Sequence, residues 1–71
     1  MNIKEIKINH ILEKAFELFS KEGIDNVTMN NIADKAGIGV ASLYRYFSTK
    51  EELAIQCATK MWQIEKEKAN G

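Results

Sequence analysis

The chain has 71 residues, 45% of them hydrophobic, and its ten basic and ten acidic residues give a formal net charge of zero. This length allows one small domain, which buries only about 60% of its extended-chain surface and should therefore have modest stability. We find no signal peptide and no membrane-spanning run, and one cysteine cannot form an internal disulfide, so we expect an intracellular, cytoplasmic protein without a membrane partner.

The first predicted helix covers residues 6 to 22. Its apolar residues recur at the i, i+3 and i+4 spacing of a face that packs on a core, namely Ile8, Ile11, Leu12, Ala15, Phe16 and Phe19. Gly23 follows as a helix end. Residues 1–6 offer no clear N-cap, so we expect this segment to fray.

A second helix is predicted over residues 29 to 36. Thr28 stands at the N-cap, and Val27 and Ile32 occupy the N′ and N4 positions of a hydrophobic staple. Gly37 comes where a helix C-terminus needs a left-handed residue. Ile38 then returns toward the core, and a new helix begins near Gly39.

The third predicted helix covers residues 40 to 46 and is two-sided. On a helical wheel Leu43 and Phe47 fall on one side and should be buried. The other side is small and polar, with a tyrosine on each flank: Ala41, Ser42, Arg45, Tyr44 and Tyr46. Two short helices joined by a glycine turn, with polar groups facing outward, are the plan of a DNA-reading helix-turn-helix.

The outward side chains suit the edges of a DNA groove. Arg45 can form two hydrogen bonds to guanine O6 and N7, Ser42 can bond either base type, and the Ala41 methyl can contact a thymine methyl. The hydroxyls of Tyr44 and Tyr46 could reach phosphates on either wall.

The fourth predicted helix covers residues 50 to 67 and opens with a capping box formed by Thr49 and Glu52. Lys50 stands in its first turn, where a cation opposes the helix dipole, so it either binds phosphate or is an ordinary surface lysine. An apolar stripe continues beyond what three short helices can cover, through Leu53, Ala54, Cys57, Ala58, Met61 and Trp62. Either another part of the protein or a partner chain covers its end, or Trp62 folds back on helix one.

The segment IADKAGIGVASLYRYFSTKEEL resembles the signature of the tetracycline-repressor (TetR) family of bacterial transcription regulators, and ILEKAFELFSKEGIDNVTM ahead of it resembles that family's first helix and connector. The resemblance implies an all-α fold, a three-helix, homeodomain-like helix-turn-helix bundle with a fourth linking helix. Residues 1–47 would form the DNA-binding head. Residues 48–71 would form the helix that leads to a C-terminal ligand-binding and dimerisation domain, so we expect this chain to be a fragment.

The same resemblance implies partners and contacts. The full-length protein would be a homodimer that binds a pseudo-palindromic operator in double-stranded DNA, most often as a repressor, and a small-molecule effector would bind the C-terminal domain. The contacts carried over are Asn30 at the groove edge, Ala41, Ser42 and Arg45 on bases, Thr28, Tyr46 and Lys50 on the backbone, and Tyr44 on either. In relatives an N-terminal arm can touch DNA, and Lys4 and Lys7 are the candidates here.

Two positions depart from the family pattern, because Gly39 replaces a frequent serine cap and Val40 replaces a frequent basic or polar residue. Both changes remove phosphate contacts. The zero net charge also argues against a nucleic-acid partner. From residue 35 to residue 50, however, Lys35, Arg45 and Lys50 stand without an acid, which gives this window a charge of +3.

No cofactor, metal site or catalytic constellation can be assembled from the remaining residues, so we predict that the chain is not an enzyme. His10 lacks a second ligand at metal-binding spacing, and Cys57 on an apolar face is interpreted as a small core residue. The alternative function is a helical protein-interaction module that keeps the fold without binding DNA. Such a surface would more often carry large apolar anchors where Arg45 and Ser42 face outward.

Overall fold

The computed structural model describes residues 2–70 and, within them, the side chains of residues 2–60. Four helices follow one another along the chain: α1 (Ile3–Glu22), α2 (Met29–Ala36), α3 (Val40–Tyr46) and α4 (Lys50–Asn70). One turn of 3-10 helix, Ile24–Asn26, links α1 to α2. The described part of the chain contains no β-strand, so the predicted all-α fold is confirmed.

The start of α1 differs from the prediction. The helix begins at Ile3 because Asn2 is an N-cap, whose side-chain oxygen accepts a hydrogen bond of 3.0 Å from the backbone N–H of Lys4. The expectation that this segment lacks a cap was therefore wrong. At the other end Gly23 closes the helix as predicted, its N–H bonding the carbonyl of Phe19 at 3.0 Å.

Local signals fix both ends of α2. The Thr28 hydroxyl accepts the Asn31 N–H at 3.1 Å, and the Asn31 side chain accepts the Thr28 N–H at 3.0 Å, which makes a reciprocal capping box. Gly37 ends the helix with φ 76° and ψ 29°, a left-handed conformation that glycine adopts without a Cβ penalty. The predicted cap and glycine turn are both confirmed.

The core lies where α1 crosses α2, α3 and the first half of α4. Its buried residues are Ile11, Leu12, Ala15, Val27, Met29, Ile32, Ala33, Ala36, Leu43, Phe47, Leu53 and Cys57. Phe19 packs against this cluster and is partly buried. Phe16 was expected in the core but is 38% exposed, because it lies about 100° around α1 from the fully buried Ala15.

Helix α4 is capped at its N-terminus and packs against α1 through Cys57. The Thr49 hydroxyl accepts the Glu52 N–H at 3.0 Å, while the Glu52 carboxylate accepts the N–H of Ser48 at 3.2 Å, one residue before the position expected for a capping box. Cys57 is buried against α1 and its thiol donates to the carbonyl of Leu12 at 3.2 Å. The side chains of Met61 and Trp62, whose covering was left open, lie outside the described residues.

In the described range, no helix combines the length and the apolar character needed to cross a membrane.

Candidate nucleic-acid interface

Helix α3 buries the side predicted from the helical wheel, and of the residues expected to face outward Ala41 and Arg45 are exposed while Ser42 is half-buried. Leu43 and Phe47 are buried in the core, and they hold the helix by one face. Ala41 and Arg45 are exposed, and Tyr44 keeps 50% of its surface exposed. A helix held in this way offers its small and cationic residues to a partner while its apolar side stays in the core.

Ser42 and Tyr46 are half-buried because they face α1. A cavity of about 340 Å³ separates the two helices there, and it is lined by Ile6, Lys7, His10, Ile11, Ile38, Ser42 and Tyr46. Tyr46 also packs against the core cluster. The two tyrosines on the flanks of α3 therefore differ in exposure, since Tyr46 lies between α1 and α3 while Tyr44 projects into solvent.

A wider groove of about 530 Å³ lies next to this cavity, between the N-terminal part of α1 and α3. It is lined by Ile3, Lys4, Lys7, Ser42, Arg45 and Tyr46, and we call it the basic groove. Three cations from two helices converge in it, and no acidic side chain lines it. Such a concave cationic surface favours an anionic partner.

The sequence reasoning named Lys4 and Lys7 as candidate DNA contacts of an N-terminal arm, and it expected residues 1–6, which include Lys4, to fray. In the structure both belong to an ordered, capped helix, one turn apart on the side that faces α3. The signal that could have found them is the asparagine cap at Asn2, which extends α1 by one turn.

The other two cations of the +3 window have contacts of their own. Lys35 lies 3.5 Å from the carboxylate of Glu17, which also lies 3.8 Å from Lys14. The ammonium of Lys50 donates a hydrogen bond of 2.8 Å to the carbonyl of Ile24. Arg45 alone of the three lines the basic groove, so the window does not form a single patch.

Thr28, Asn30 and Lys50 are placed at helix N-termini and do not line the basic groove. The Thr28 hydroxyl accepts a bond in the capping box and keeps its own proton to donate. Asn30 is exposed in the first turn of α2. The structure thus brings Ser42, Arg45 and Tyr46 together beside α1. Ala41 and Tyr44 lie on the exposed part of α3, and the other predicted contacts lie at separate helix ends.

His10 makes a contact that the sequence reasoning missed, since it considered this residue only as a metal ligand. Its Nε2 lies 3.2 Å from the carbonyl oxygen of Ala36 at the end of α2. No local signal predicts this contact, because 26 positions separate the two residues. Among the side chains that the structure describes, no group of three His, Cys, Asp or Glu residues could hold a metal ion.

The environment of Cys57 is apolar, and burial raises the pKa of its thiol from 9.0 to about 11. Desolvation disfavours the thiolate, so the sulfur is protonated and unreactive at neutral pH. This agrees with its interpretation as a small core residue.

The family model described as bacterial regulatory proteins, tetR family, matches residues 11–57, more than half of the chain. HTH-type transcriptional regulators of Staphylococcus aureus strains USA300 and COL are each 46% identical to this chain over 52 residues, which is 70% of this chain and 28% of theirs. The chain therefore spans less than a third of the length of these relatives, and all of these matches are to regulators. On this evidence the chain belongs to the tetR family of bacterial regulatory proteins.

Proposed function

We propose that this chain is the DNA-binding domain of a transcriptional regulator that recognises a pseudo-palindromic operator in double-stranded DNA. The observation that carries the proposal is the pairing of an exposed, small and cationic face on α3 with the basic groove beside it. An α-helix of this kind fits the major groove, where base edges carry a distinct pattern of donors and acceptors.

Base contacts are assigned to the outward side of α3. Arg45 is exposed and can bond guanine O6 and N7, while Ala41 lets the helix backbone approach the bases. Ser42 lines the basic groove between α3 and α1. Asn30 is exposed in the first turn of α2, from which it would reach the edge of the DNA groove. These four residues would read sequence.

Phosphate contacts are assigned to both sides of α3. Tyr44 projects into solvent, Tyr46 lines the basic groove, and the Thr28 hydroxyl retains its proton. An ammonium has three donors, so Lys50 can bond a phosphate while it bonds Ile24. Lys4 and Lys7 join this set through the basic groove, which gives a neutral chain a local positive surface.

The remaining parts of the proposal rest on the family and on the greater length of the relatives. We propose that the whole regulator is a homodimer, that it acts as a repressor, and that a small-molecule effector binds outside this DNA-binding domain. Two heads held one helical turn apart would match the two halves of the operator. We also propose that the regulator acts in the cytoplasm, because its operator DNA would lie there.

A protein-interaction module with the same fold is the competing function. Hot spots of protein interfaces are enriched in large anchoring side chains. Tyr44 and Arg45 are side chains of that kind, but the exposed side of α3 borders a groove lined by three cations and no acidic residue, which favours DNA.

The test is selection from a randomised pool of duplex DNA with the full chain, followed by titration of the enriched duplex at several salt concentrations. We expect one enriched half-site motif, because a single head reads one half of the operator, and an affinity that falls steeply with salt. A pool that stays random through repeated rounds would refute sequence-specific binding.

A further inference from the structure

The imidazole of His10 lies against the end of α2. Its Nε2 is 3.2 Å from the carbonyl oxygen of Ala36, the last residue of that helix. A carbonyl oxygen only accepts hydrogen bonds, so Nε2 carries the hydrogen and donates it. The bond joins α1 to the start of the turn that leads into α3.

This carbonyl needs a partner from outside its own helix. The last carbonyls of an α-helix have no N–H within the helix to bond. In the turn, the N–H of Gly37 bonds the carbonyl of Asp34 at 3.2 Å and the N–H of Ile38 bonds that of Ala33 at 2.9 Å. His10 bonds the last carbonyl of the helix, that of Ala36, and so acts as a C-terminal cap supplied by another helix.

The far side of the turn has no comparable anchor. Gly39 is the N-cap of α3 and provides no side-chain hydrogen bond to that helix. The turn is therefore held by its own backbone bonds, by the half-buried Ile38 and by His10. His10 also lines the 340 Å³ cavity together with Ser42 and Tyr46, so its ring faces α3 across that cavity.

We infer that His10 is a positioning residue for base readout: by capping α2 it fixes the turn and thereby the orientation of α3. It contacts no base itself. The inference rests on the proposed function, because its consequence is measured in DNA binding.

Three variants of the full chain separate this role from general stability. His10→Ala removes the donor, and His10→Gln keeps an N–H donor at a similar reach. Asn9→Ala is the matched control, because Asn9 precedes His10 on α1 but lines the cavity that faces Cys57 and Lys60 of α4. Each variant is titrated against the selected duplex and against an unselected duplex, at a temperature where denaturation curves show it to be folded.

We expect His10→Ala to lose about 3- to 10-fold in affinity for the selected duplex, the factor that one ordinary hydrogen bond supplies. Binding to the unselected duplex should change less, because phosphate contacts tolerate a small rotation of α3. His10→Gln should recover most of the loss, and Asn9→Ala should bind like the wild type. Amide hydrogen exchange should be faster at Gly37 and Ile38 in His10→Ala alone.

Other outcomes overturn the inference. Equal affinity and equal exchange in His10→Ala and wild type would show that the hydrogen bond does not hold the turn. An equal loss on both duplexes would assign His10 to stability rather than to readout. If the wild-type chain enriches no duplex, the proposed function fails. The role of His10 is then still tested, because amide hydrogen exchange at Gly37 and Ile38 reports whether His10 holds the turn.

Discussion

The ammonium of Lys50 and the carbonyl oxygen of Ile24 lie 2.8 Å apart, and this hydrogen bond ties the first turn of α4 to the 3-10 turn that precedes α2. A cation in the first turn of a helix opposes the helix dipole. The bond to Ile24 gives this lysine a structural reason to be there, in addition to the phosphate contact proposed for it.

Lys50→Ala should weaken binding to all duplexes by a similar factor and lower the salt slope by about one unit, since one phosphate contact is lost. Titration at several salt concentrations measures the slope. Lys60→Ala is the control, because Lys60 lines the cavity between α1 and α4, away from α3. A lower free energy of unfolding with an unchanged slope would mean that Lys50 acts through Ile24 alone.

Arg45→Ala should relax base preference at one position of each half-site and cost about 1 to 3 kcal/mol at that position, because a bidentate contact to guanine is lost. Binding to a library of single-base variants gives the preference at every position. The proposed division between base and phosphate contacts fails if Arg45→Ala and Lys50→Ala change the preferences alike.

Leu43→Ala should destabilise the chain by about 2 to 5 kcal/mol, since it removes a large side chain from a fully buried site. Phe16→Ala is the comparison, because Phe16 is 38% exposed and should cost markedly less. Urea denaturation followed by circular dichroism provides both free energies. A larger loss from Phe16→Ala than from Leu43→Ala would contradict the described core.

Gly39→Ser should stabilise the chain by about 0.4 to 1 kcal/mol, because serine caps helices and restricts the unfolded chain. The backbone of Gly39 has φ −71°, and a Cβ there would meet no atom within 4 Å. Gly37→Ser is the control with the opposite expected sign. Gly37 has φ +76°, and a residue with a side chain in that conformation should destabilise the chain by about 1 to 2 kcal/mol. Thermal denaturation of the pair tests the sign of each change, and a destabilised Gly39→Ser variant would count against the space described at that position.

Stability should fall between pH 9 and about pH 11 through Cys57. Burial raises the pKa of its thiol to about 11, so above pH 9 the unfolded chain loses this proton while the folded chain keeps it. The stabilisation is complete below pH 9 and is lost as the pH rises through the folded value. Cys57→Ala isolates this contribution from other alkaline titrations. Identical pH dependence in the two chains would show that the thiol is not desolvated.

The elements best predicted from sequence are those bounded by local chemistry. Thr28 and Gly37 delimit α2 through hydrogen bonds to residues three or four positions away. The helical spacing of Leu43 and Phe47 sets the buried side of α3. Such signals are contained within one helical turn. The exposure of Ala41 and Arg45 followed from them, whereas the half-buried position of Ser42 depends on how α1 lies against α3.

The contacts that sequence reasoning missed connect distant parts of the chain. Lys35 pairs with Glu17, and His10 and Lys50 each bond a carbonyl 26 positions away. No periodicity encodes such pairs, since they depend on how the helices cross. The predicted burial of Phe16 was wrong for a related reason, because the exposure of this side chain depends on where α4 lies against α1.

The basic groove makes this neutral chain an electric dipole. Its positive end is formed by Lys4, Lys7 and Arg45, and because the net charge is zero the balancing acidic residues lie outside the groove, which no acidic side chain lines. A dipole near a polyanion experiences a torque even when it feels little net attraction, and within a Debye length of about 10 Å at 0.1 M salt that torque turns the positive end toward the duplex. The chain would therefore approach DNA with α3 already facing it, and added salt would slow association by randomising the angle of approach.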